Sequence, residues 1–375
     1  MKVIVVGTGI VGASAAYYLV KQGVEVIMVD RPEDGKATSA GAGIICPWIS
    51  RVENPHWYVI AKRGALYYPE LIAQLKSDGE TDTGYKQVGA ISVSNDPAEL
   101  DEMERRVREK QLKAPELGEI KRLNHTEAKN KFPALSDDLE GVYVSGAARM
   151  DGRLMRESLK RAAVKNGARL IEGEAALTAT DQKVTGVHVD GQDITADHVL
   201  LATGAWASEQ MKPLGLDLAI EPQRGQIAHI SLPEQDTADW PVVLPQTSHY
   251  MLAFDDSRIV AGATREEGSG FDYRLTAGGV HQVLEAALDV ASGLEEGTLK
   301  EVRIGFRPMS PDKLPLIGAI DDREGLYIAN GLGPSGLTMG PYAGKLAAKQ
   351  ILNEKMELDM TPYRPDRAIS KFAGN

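Results

Sequence analysis

The stretch that decides the fold is residues 2–12, KVIVVGTGIVG, in which a β-branched run leads directly into three spaced glycines. Lys2–Val6 has no polar interruption, as expected of a parallel strand that is buried on both faces. Residues 10–22 carry apolar side chains at helical spacing, and Gly23 follows as a stop signal. Residues 24–29 form a second apolar run, which ends at Asp30. This order predicts a strand–helix–strand unit that binds a dinucleotide.

Each part of the Gly-x-Gly-x-x-Gly pattern has a physical task. Gly7 permits the tight turn, Gly9 lets backbone N–H groups approach a pyrophosphate, and Gly12 lets the helix pack closely on the strand. The N-terminus of the helix adds partial positive charge, and the Asp30 carboxylate is placed to bind a ribose hydroxyl. Three glycines alone are weak evidence in a chain with 38 of them. The strand before the motif, the helix after it and the acid about 20 residues on decide against a plain glycine-rich turn.

Composition excludes several other classes of protein. A chain of 375 residues exceeds what one hydrophobic core usually organises, which favours two domains. The formal charge of −11 argues against nucleic acid as a partner. Cys46 is the only cysteine and the histidines have no zinc-like spacing, so we expect neither an internal disulfide nor a metal.

The apolar N-terminus superficially resembles a signal peptide, but glycines interrupt it and a second strand follows. No run approaches the roughly 18 apolar residues that a membrane helix needs. We expect a soluble, cytoplasmic protein.

The period of the apolar residues changes along the chain. Helices are predicted at 97–111, 152–166, 277–292 and 337–352, strands at 169–171, 184–189 and 198–201, and a buried strand of the parallel type at 325–329. Residues 224–231, 250–254, 258–263 and 301–306 alternate as antiparallel strands do, with Asp255-Asp256-Ser257 as a hairpin turn. Only the tail after Tyr363 looks loosely held.

The predicted fold class is α/β. A discontinuous Rossmann-like dinucleotide-binding domain, a parallel sheet flanked by helices, would comprise residues 1–86, 141–221 and 303–375. An inserted α+β substrate domain on a mostly antiparallel sheet would comprise residues 87–140 and 222–302.

A second glycine motif occurs at residues 331–336, GLGPSG. The segment after it reads as one unbroken helix, which leaves no room for a second strand, so we do not interpret it as another nucleotide unit. A glycine-lined turn before a helix instead suits contact with a flat ring and with developing negative charge.

Further segments resemble the D-amino acid oxidase superfamily of FAD enzymes, whose members include glycine oxidase, sarcosine oxidase and D-amino acid dehydrogenase. The matching segments are 38–43 (TSAGAG), 201–206 (LATGAW), 222–226 (PQRGQ), 262–266 (GATRE), 305–308 (GFRP) and 315–318 (PLIG). The resemblance is closest to glycine oxidase and D-amino acid dehydrogenase and covers most of the chain. It implies FAD as cofactor and hydride transfer from a substrate Cα to flavin N5, with no protein acid or base strictly required.

The resemblance also implies site residues. Arg307 would hold the substrate carboxylate with its planar fork, and Tyr250 would assist through its hydroxyl. The alternatives are a structural salt bridge for Arg307 and core packing for Tyr250. Arg307 would also contact the cofactor, together with Gly7, Gly9, Ile10, Val11, Gly12, Asp30, Arg31, Thr38, Ser39, Ala40, Gly41, Ala42, Gly43, Ile44, Thr203, Gly204, Trp206, Gly333, Pro334, Ser335, Gly336, Leu337 and Thr338.

Two departures from the family pattern are informative. Glycine oxidase has His-Tyr-Arg-Asn where this chain has residues 332–335, LGPS, so its substrate pocket is lined differently. Met309 stands where sarcosine oxidase has the cysteine that links its flavin, so we expect non-covalent FAD. Cys46, Trp48 and His56 follow the small-residue loop, and whether they line the site or simply pack stays open.

The predicted activity is oxidation of the Cα–N bond of a small amino acid or secondary amine carboxylate. Oxygen, a quinone or a partner protein would accept the electrons, and a homo-oligomer stays open. The alternatives are an FAD-dependent 2-hydroxy-acid oxidoreductase, a non-catalytic flavin-binding subunit, and a nicotinamide dehydrogenase, which the inserted domain disfavours.

Overall fold

The computed structural model describes residues 1–371 of the chain. In chain order its strands are β1 (Lys2–Val6), β2 (Glu25–Asp30), β3 (Ile44–Ile45), β4 (Lys86–Gln87), β5 (Ala90–Ser94), β6 (Ile120–Leu123), β7 (Glu140–Val144), β8 (Ala148–Arg149), β9 (Arg169–Glu172), β10 (Ala175–Thr180), β11 (Lys183–Val189), β12 (Gln192–Thr195), β13 (His198–Leu201), β14 (Leu216–Leu218), β15 (Glu221–Ser231), β16 (Val242–Pro245), β17 (Tyr250–Ala253), β18 (Arg258–Gly262), β19 (Thr298–Met309), β20 (Leu316–Ala319), β21 (Leu326–Asn330) and β22 (Ile369–Lys371). Its α-helices are α1 (Ile10–Lys21), α2 (Ala37–Ala40), α3 (Pro55–Ser77), α4 (Pro97–Gln111), α5 (His125–Lys131), α6 (Gly152–Lys165), α7 (Ala207–Met211), α8 (Ala277–Val290) and α9 (Gly336–Ile351).

The first glycine motif lies at the centre of a sheet with strand order β20-β21-β13-β1-β2-β9. The strands from β21 to β9 are parallel, and β20 closes one edge in the antiparallel sense. Side chains of β1 alternate between two cores. Val3 and Val5 pack into the core that contains α1 and α9, whereas Ile4 and Val6 pack into the core that contains β11. The uninterrupted apolar run of β1 is thus explained by burial on both faces.

A second sheet has the order β19-β15-β18-β17-β16-β5-β7-β6. Its neighbours are antiparallel apart from β5 and β16, which run parallel. Helix α8 packs on this sheet through Val283 and Ala287. The predicted fold class, a parallel-stranded nucleotide sheet joined to a mostly antiparallel one, is confirmed; the domain boundaries at 86, 140, 221 and 302 stay a prediction.

Strands β15 and β19 are longer than the sequence indicated. They pair from Glu221 opposite Met309 to Ser231 opposite Thr298, with one irregularity near Ile230. The predicted strands 224–231 and 301–306 were too short at the end where Pro222 lies opposite Pro308. A proline inside a run argues against a strand, yet it is tolerated at the end of a paired ribbon.

The five predicted helices begin and end within two residues of their predicted positions, whereas α2, α3, α5 and α7 were not predicted. The segment after the second glycine motif is indeed the unbroken helix α9, and β22, the next strand, pairs with β14 outside the nucleotide sheet. The Asp255–Ser257 turn is also confirmed, because the Phe254 N–H donates to the Arg258 carbonyl at 2.8 Å.

The prediction of a loose tail after Tyr363 was wrong as far as Lys371. Arg367 donates to Asp312 at 2.7 Å and to the Leu314 carbonyl at 2.7 Å. These polar contacts fix the segment without the apolar periodicity on which the prediction relied. Residues 372–375 of that tail lie outside the described residues.

Helices α1 and α9 pack closely enough to exclude a side chain between them. A Cβ atom built on Gly344 would lie 2.4 Å from the Val11 carbonyl oxygen. This contact holds the N-terminus of α9 near that of α1, and both helices begin at the cleft described below. In the part of the chain that the structure describes, no helix is both long and apolar enough to cross a membrane.

Candidate active site

A long cleft opens at the carboxyl ends of β1, β13 and β21 and extends to the β15–β19 pair. Its open volume is about 1660 Å³, including the part that is continuous with solvent. The lining extends from the first glycine motif to Arg307 on β19, so the cleft suits an extended ligand. Crevices at the carboxyl ends of parallel strands are also where such sheets bind nucleotides.

The first glycine motif forms one wall of the cleft. Gly7 has φ = +89°, which favours glycine, and a Cβ atom on Gly12 would lie 1.9 Å from the Gly7 carbonyl oxygen. A Cβ atom on Gly9 would meet only the Thr38 hydroxyl, at 3.2 Å. The same hydroxyl accepts a hydrogen bond from the Ile10 N–H at 3.0 Å. Gly9 therefore keeps the approach to the N-terminus of α1 open, as a pyrophosphate requires.

The Asp30 carboxylate lies in the cleft at the end of β2. It accepts hydrogen bonds from the Thr8 hydroxyl at 2.7 Å and from Lys36 Nζ at 2.8 Å. These donors fix one carboxylate oxygen, which orients the group for a ribose hydroxyl. Arg31 also lines the cleft and pairs with Glu33 at 2.7 Å.

The strand-end segment after β13 adds a polar group that has no protein partner. The Thr203 hydroxyl is buried and lacks a hydrogen-bond partner among the described residues, although it lines the cleft. Gly204 has φ = +59°, and its carbonyl accepts from Asn330 Nδ2 at 2.9 Å. A buried hydroxyl without a partner is costly, so a ligand that satisfies Thr203 fits this position.

The second glycine motif forms the opposite wall. Gly333 has φ = +52° and begins a short 3₁₀ turn that leads into α9. The Thr338 hydroxyl donates to the Ile44 carbonyl at 2.8 Å, and Tyr68 donates to the Leu337 carbonyl. The start of α9 is thereby held against the small-residue loop.

At the far end of the cleft Arg307 is held by neutral groups. Its guanidinium donates to Gln223 Oε1 and to the Thr264 carbonyl, both at 3.0 Å. It lies flat against Gly225, where a Cβ atom would be 2.6 Å from a guanidinium nitrogen. Among residues 1–371 no carboxylate oxygen comes within 4.0 Å of its nitrogens. Burial lowers the pKa of Arg307, which remains a cation that lacks a fixed counter-ion.

Tyr250 lies beside Arg307 at the same end of the cleft. Burial raises the pKa of its hydroxyl, and the neighbouring guanidinium partly offsets that rise. The hydroxyl therefore remains a hydrogen-bond donor at neutral pH. One cation and one neutral donor at adjacent positions suit the two oxygens of a carboxylate.

The cleft brings together most of the predicted site residues, with three exceptions. Gly12 packs against Gly7 behind the wall, Ser39 accepts a hydrogen bond from Arg156 at 3.2 Å, and Ser335 accepts one from Trp57 Nε1 at 3.2 Å. The other predicted residues line the cleft, namely Gly7, Gly9, Ile10, Val11, Asp30, Arg31, Thr38, Ala40, Gly41, Ala42, Gly43, Ile44, Thr203, Gly204, Trp206, Tyr250, Arg307, Gly333, Pro334, Gly336, Leu337 and Thr338.

Three residues that the sequence left open lie away from the cleft wall. Cys46 is buried, and burial raises the pKa of its thiol to about 12. Trp48 is buried, whereas His56 is exposed in the first turn of α3. All three therefore contribute to packing or surface and not to the lining of the cleft.

Sequence reasoning missed several residues that line the cleft. Lys36, Ser248, Arg265 and Asn330 contribute polar atoms to it. Arg265 lies inside the segment 262–266, which matched the family. A charged residue directly after Gly262-Ala263-Thr264 was therefore the signal that could have identified it. Ser248 and Asn330 had no local pattern, because only the sheet pairing brings them to the cleft.

A parallel sheet with a glycine motif and a long cleft at its carboxyl ends is the arrangement of dinucleotide-dependent oxidoreductases, and here the cleft extends to the half-buried Arg307. The family model described as "FAD dependent oxidoreductase" (DAO) matches residues 2–350. The chain therefore belongs to the DAO family and uses FAD, for which the open Gly9, the Asp30 carboxylate and the partnerless Thr203 hydroxyl are suited.

Three similar proteins extend this comparison. The uncharacterized oxidoreductase YurR of Bacillus subtilis (strain 168) is 50% identical over 368 residues, which cover 98% of this chain and 99% of YurR. The crystal structure of iminodiacetate oxidase (IdaA) from Chelativorans sp. BNC1 is similar with a TM-score of 0.94 and 47% identity, covering 97% of this chain and 98% of that one. Glycine oxidase from Geobacillus kaustophilus has a TM-score of 0.86 and 25% identity, covering 97% of both chains. The enzyme thus belongs among FAD-dependent oxidoreductases that act on amino acids or amines.

Proposed function

We propose that this enzyme oxidises the Cα–N bond of a small amine carboxylate, with Arg307 and Tyr250 holding the carboxylate and with FAD bound non-covalently. The observation that carries the proposal is the Arg307 cation, which neutral partners orient and no carboxylate neutralises within the described chain. A buried charge without a counter-ion is costly, and an anionic substrate removes that cost.

The surroundings of Arg307 favour carboxylate binding over a structural role. Gln223 and Thr264 use acceptor oxygens on one side of the guanidinium, and Gly225, which has no side chain, lets the guanidinium lie flat against its backbone. The remaining N–H groups form a fork that matches two carboxylate oxygens. Fixing the carboxylate in this way also fixes the adjacent Cα, which is the main task of the protein in a reaction without an acid or base.

Bound FAD supplies the two-electron acceptor for the hydride that leaves Cα. On the substrate the nitrogen loses its proton as the C=N bond forms, and water then hydrolyses the imine to a carbonyl compound and an amine or ammonia. The chain contributes orientation and a partly desolvated cation; Tyr250, which stays protonated, contributes a hydrogen bond and is not needed as a base.

The names of similar proteins support an amine as substrate. Iminodiacetate oxidase and glycine oxidase are both named for compounds in which a carboxylate-bearing carbon is bonded to nitrogen. This chain lacks the arginine and the aromatic that the sequence comparison with glycine oxidase would place at 332–335, so a secondary amine carboxylate is a better candidate than glycine.

Anaerobic reduction of the purified holoenzyme tests the proposal, because it does not depend on whether oxygen, a quinone or a partner protein is the acceptor. Iminodiacetate and N-methylglycine should bleach the flavin absorbance, whereas dimethylamine, which lacks the carboxylate, should not. Glycolate tests the 2-hydroxy-acid alternative. Bleaching by glycolate without bleaching by any amine would contradict the proposal, and so would a flavin that none of these compounds reduces.

A further inference from the structure

Arg265 is a second cation in the same part of the cleft. It lines the cleft together with Tyr250 and Arg307, and its side chain is exposed. In the described part of the chain no carboxylate lies within 4.0 Å of its nitrogens. Its charge acts on the same groups, because it offsets part of the rise that burial causes in the pKa of Tyr250 and adds to the fall that burial causes in the pKa of Arg307.

The backbone fixes Arg265 relative to Arg307. The preceding residue, Thr264, accepts a hydrogen bond from Arg307 through its carbonyl and one from the Gln226 N–H through its hydroxyl. The following residue, Glu266, exchanges two backbone hydrogen bonds with Arg224, at 2.9 and 3.0 Å. Arg265 is therefore held on both sides, and only its side chain has freedom to move.

The acidic residue nearest in sequence is already engaged. Glu266 accepts hydrogen bonds from Arg224 at 2.9 Å, from Gln226 at 2.7 Å and from the Thr264 hydroxyl at 2.7 Å. It faces the Arg224 side of the segment and does not neutralise Arg265. The cleft thus holds two cations without fixed counter-ions, Arg307 deeper and Arg265 nearer to solvent.

We propose that Arg265 binds a second carboxylate of the substrate, which makes the preferred substrate an amine with one carboxylate on each side of its nitrogen. This inference rests on the proposed function in one respect, the binding of the first carboxylate at Arg307. A single-carboxylate substrate leaves Arg265 without a partner, whereas an N-carboxymethyl amino acid engages both cations. Arg265 is then a specificity-determining residue and not a catalytic one.

Binding of two unreactive ligands tests the inference without turnover. Thiodiacetate carries two carboxylates and (methylthio)acetate carries one, and neither has a C–N bond to oxidise. Titration of the holoenzyme, followed by the flavin spectrum and by calorimetry, should show thiodiacetate binding about 10-fold more tightly, a moderate preference because Arg265 is exposed.

The variant Arg265→Met should lose this preference and still bind (methylthio)acetate with a Kd within about twofold of wild type, which also shows that the site is intact. Lys300→Met is the matched control. It removes one positive charge from β19, the strand of Arg307, at an exposed position outside the cleft, and should retain the preference.

Two results would overturn the inference: a wild type without preference, or an Arg265→Met variant that keeps the preference, either with unchanged affinities or with an equal loss of affinity for both ligands. The last result would show that Arg265 only attracts anions to the cleft. A wild type that binds neither ligand would remove the Arg307 carboxylate site and this inference together. If the preference depends on Arg265 while no amine reduces the flavin, the inference stands and the proposed function fails.

Discussion

Replacement of Arg307 tests the carboxylate site most directly. The Arg307→Met variant loses a charge-assisted and partly desolvated contact with the substrate, which is worth roughly 2–5 kcal/mol. Since about 1.4 kcal/mol corresponds to a tenfold change, kcat/KM should fall by roughly 30- to 4,000-fold. Arg307→Lys keeps the charge but loses the planar fork that Gln223 and Thr264 orient, so its kcat/KM should also fall by about 30-fold or more.

The stability and the cofactor content of Arg307→Met should not fall with its activity. Removing a half-buried cation that has no carboxylate partner among the described residues relieves a desolvation cost, so the Tm of Arg307→Met in the absence of substrate should be unchanged or raised. FAD content should stay at the wild-type level, because Arg307 is held by Gln223 and Thr264, whereas Gly9 and Asp30 belong to the ends of β1 and β2 in the nucleotide sheet. Stopped-flow reduction, thermal unfolding and the ratio of flavin to protein absorbance measure the three quantities, with Lys300→Met as control.

Two outcomes would refute the role given to Arg307. If kcat/KM stayed within threefold of wild type, the guanidinium would not hold the substrate. If stability instead fell by roughly 3–5 kcal/mol, as it does when one partner of a buried ion pair is removed, Arg307 would be structural.

Four further outcomes are expected. Gly9→Leu should abolish FAD retention, since its side chain would fill the approach to α1, while Gly278→Ala, at a glycine with open space around it, should retain normal flavin absorbance. Acid precipitation should release all the flavin into the supernatant, because Met309 replaces the linking cysteine and Cys46 lies outside the cleft; a yellow pellet would contradict this. Tyr250→Phe should lower kcat/KM by about 3- to 30-fold through loss of one hydrogen bond. Because burial raises the pKa of Tyr250, its hydroxyl should stay protonated, and wild-type binding of (methylthio)acetate should persist as pH rises through the ordinary tyrosine pKa of about 10. Native protein should resist alkylation of Cys46 at pH 8, where its thiol is protonated, and react only after unfolding, which mass spectrometry detects.

The sequence predicted the nucleotide half of the cleft better than the substrate half. Gly7, Gly9 and Asp30 are encoded locally, because a strand, a turn and a helix in succession place them without reference to the rest of the chain. Tyr250 and Arg307 were found only through family resemblance, since no local pattern distinguishes a cleft residue from a core residue on an antiparallel strand.

The remaining site residues depend on pairing between distant segments. Arg265 and Ser248 reach the cleft because β18 pairs with β15 and β17 pairs with β18 in the second sheet. Ser39 and Ser335 show the converse. Ser39 belongs to a segment that matches the family and Ser335 to the second glycine motif, yet they bond to Arg156 and Trp57. Sequence patterns identify segments that approach a ligand, but the direction of each side chain is settled by packing.

The register of β15 and β19 has a consequence for how the protein tolerates change. Gln223 lies directly opposite Arg307, and the irregularity in pairing comes later, near Ile230. A one-residue slip would turn Arg307 to the other face of the sheet. Neither β15 near Gln223 nor β19 near Arg307 can therefore gain or lose a residue without moving the guanidinium. Residues 232–241, which join β15 to β16, contribute nothing to the lining of the cleft. Insertions in their exposed turns, such as the one after Leu232, offer a route by which laboratory or natural evolution can add new surfaces without disturbing the chemistry.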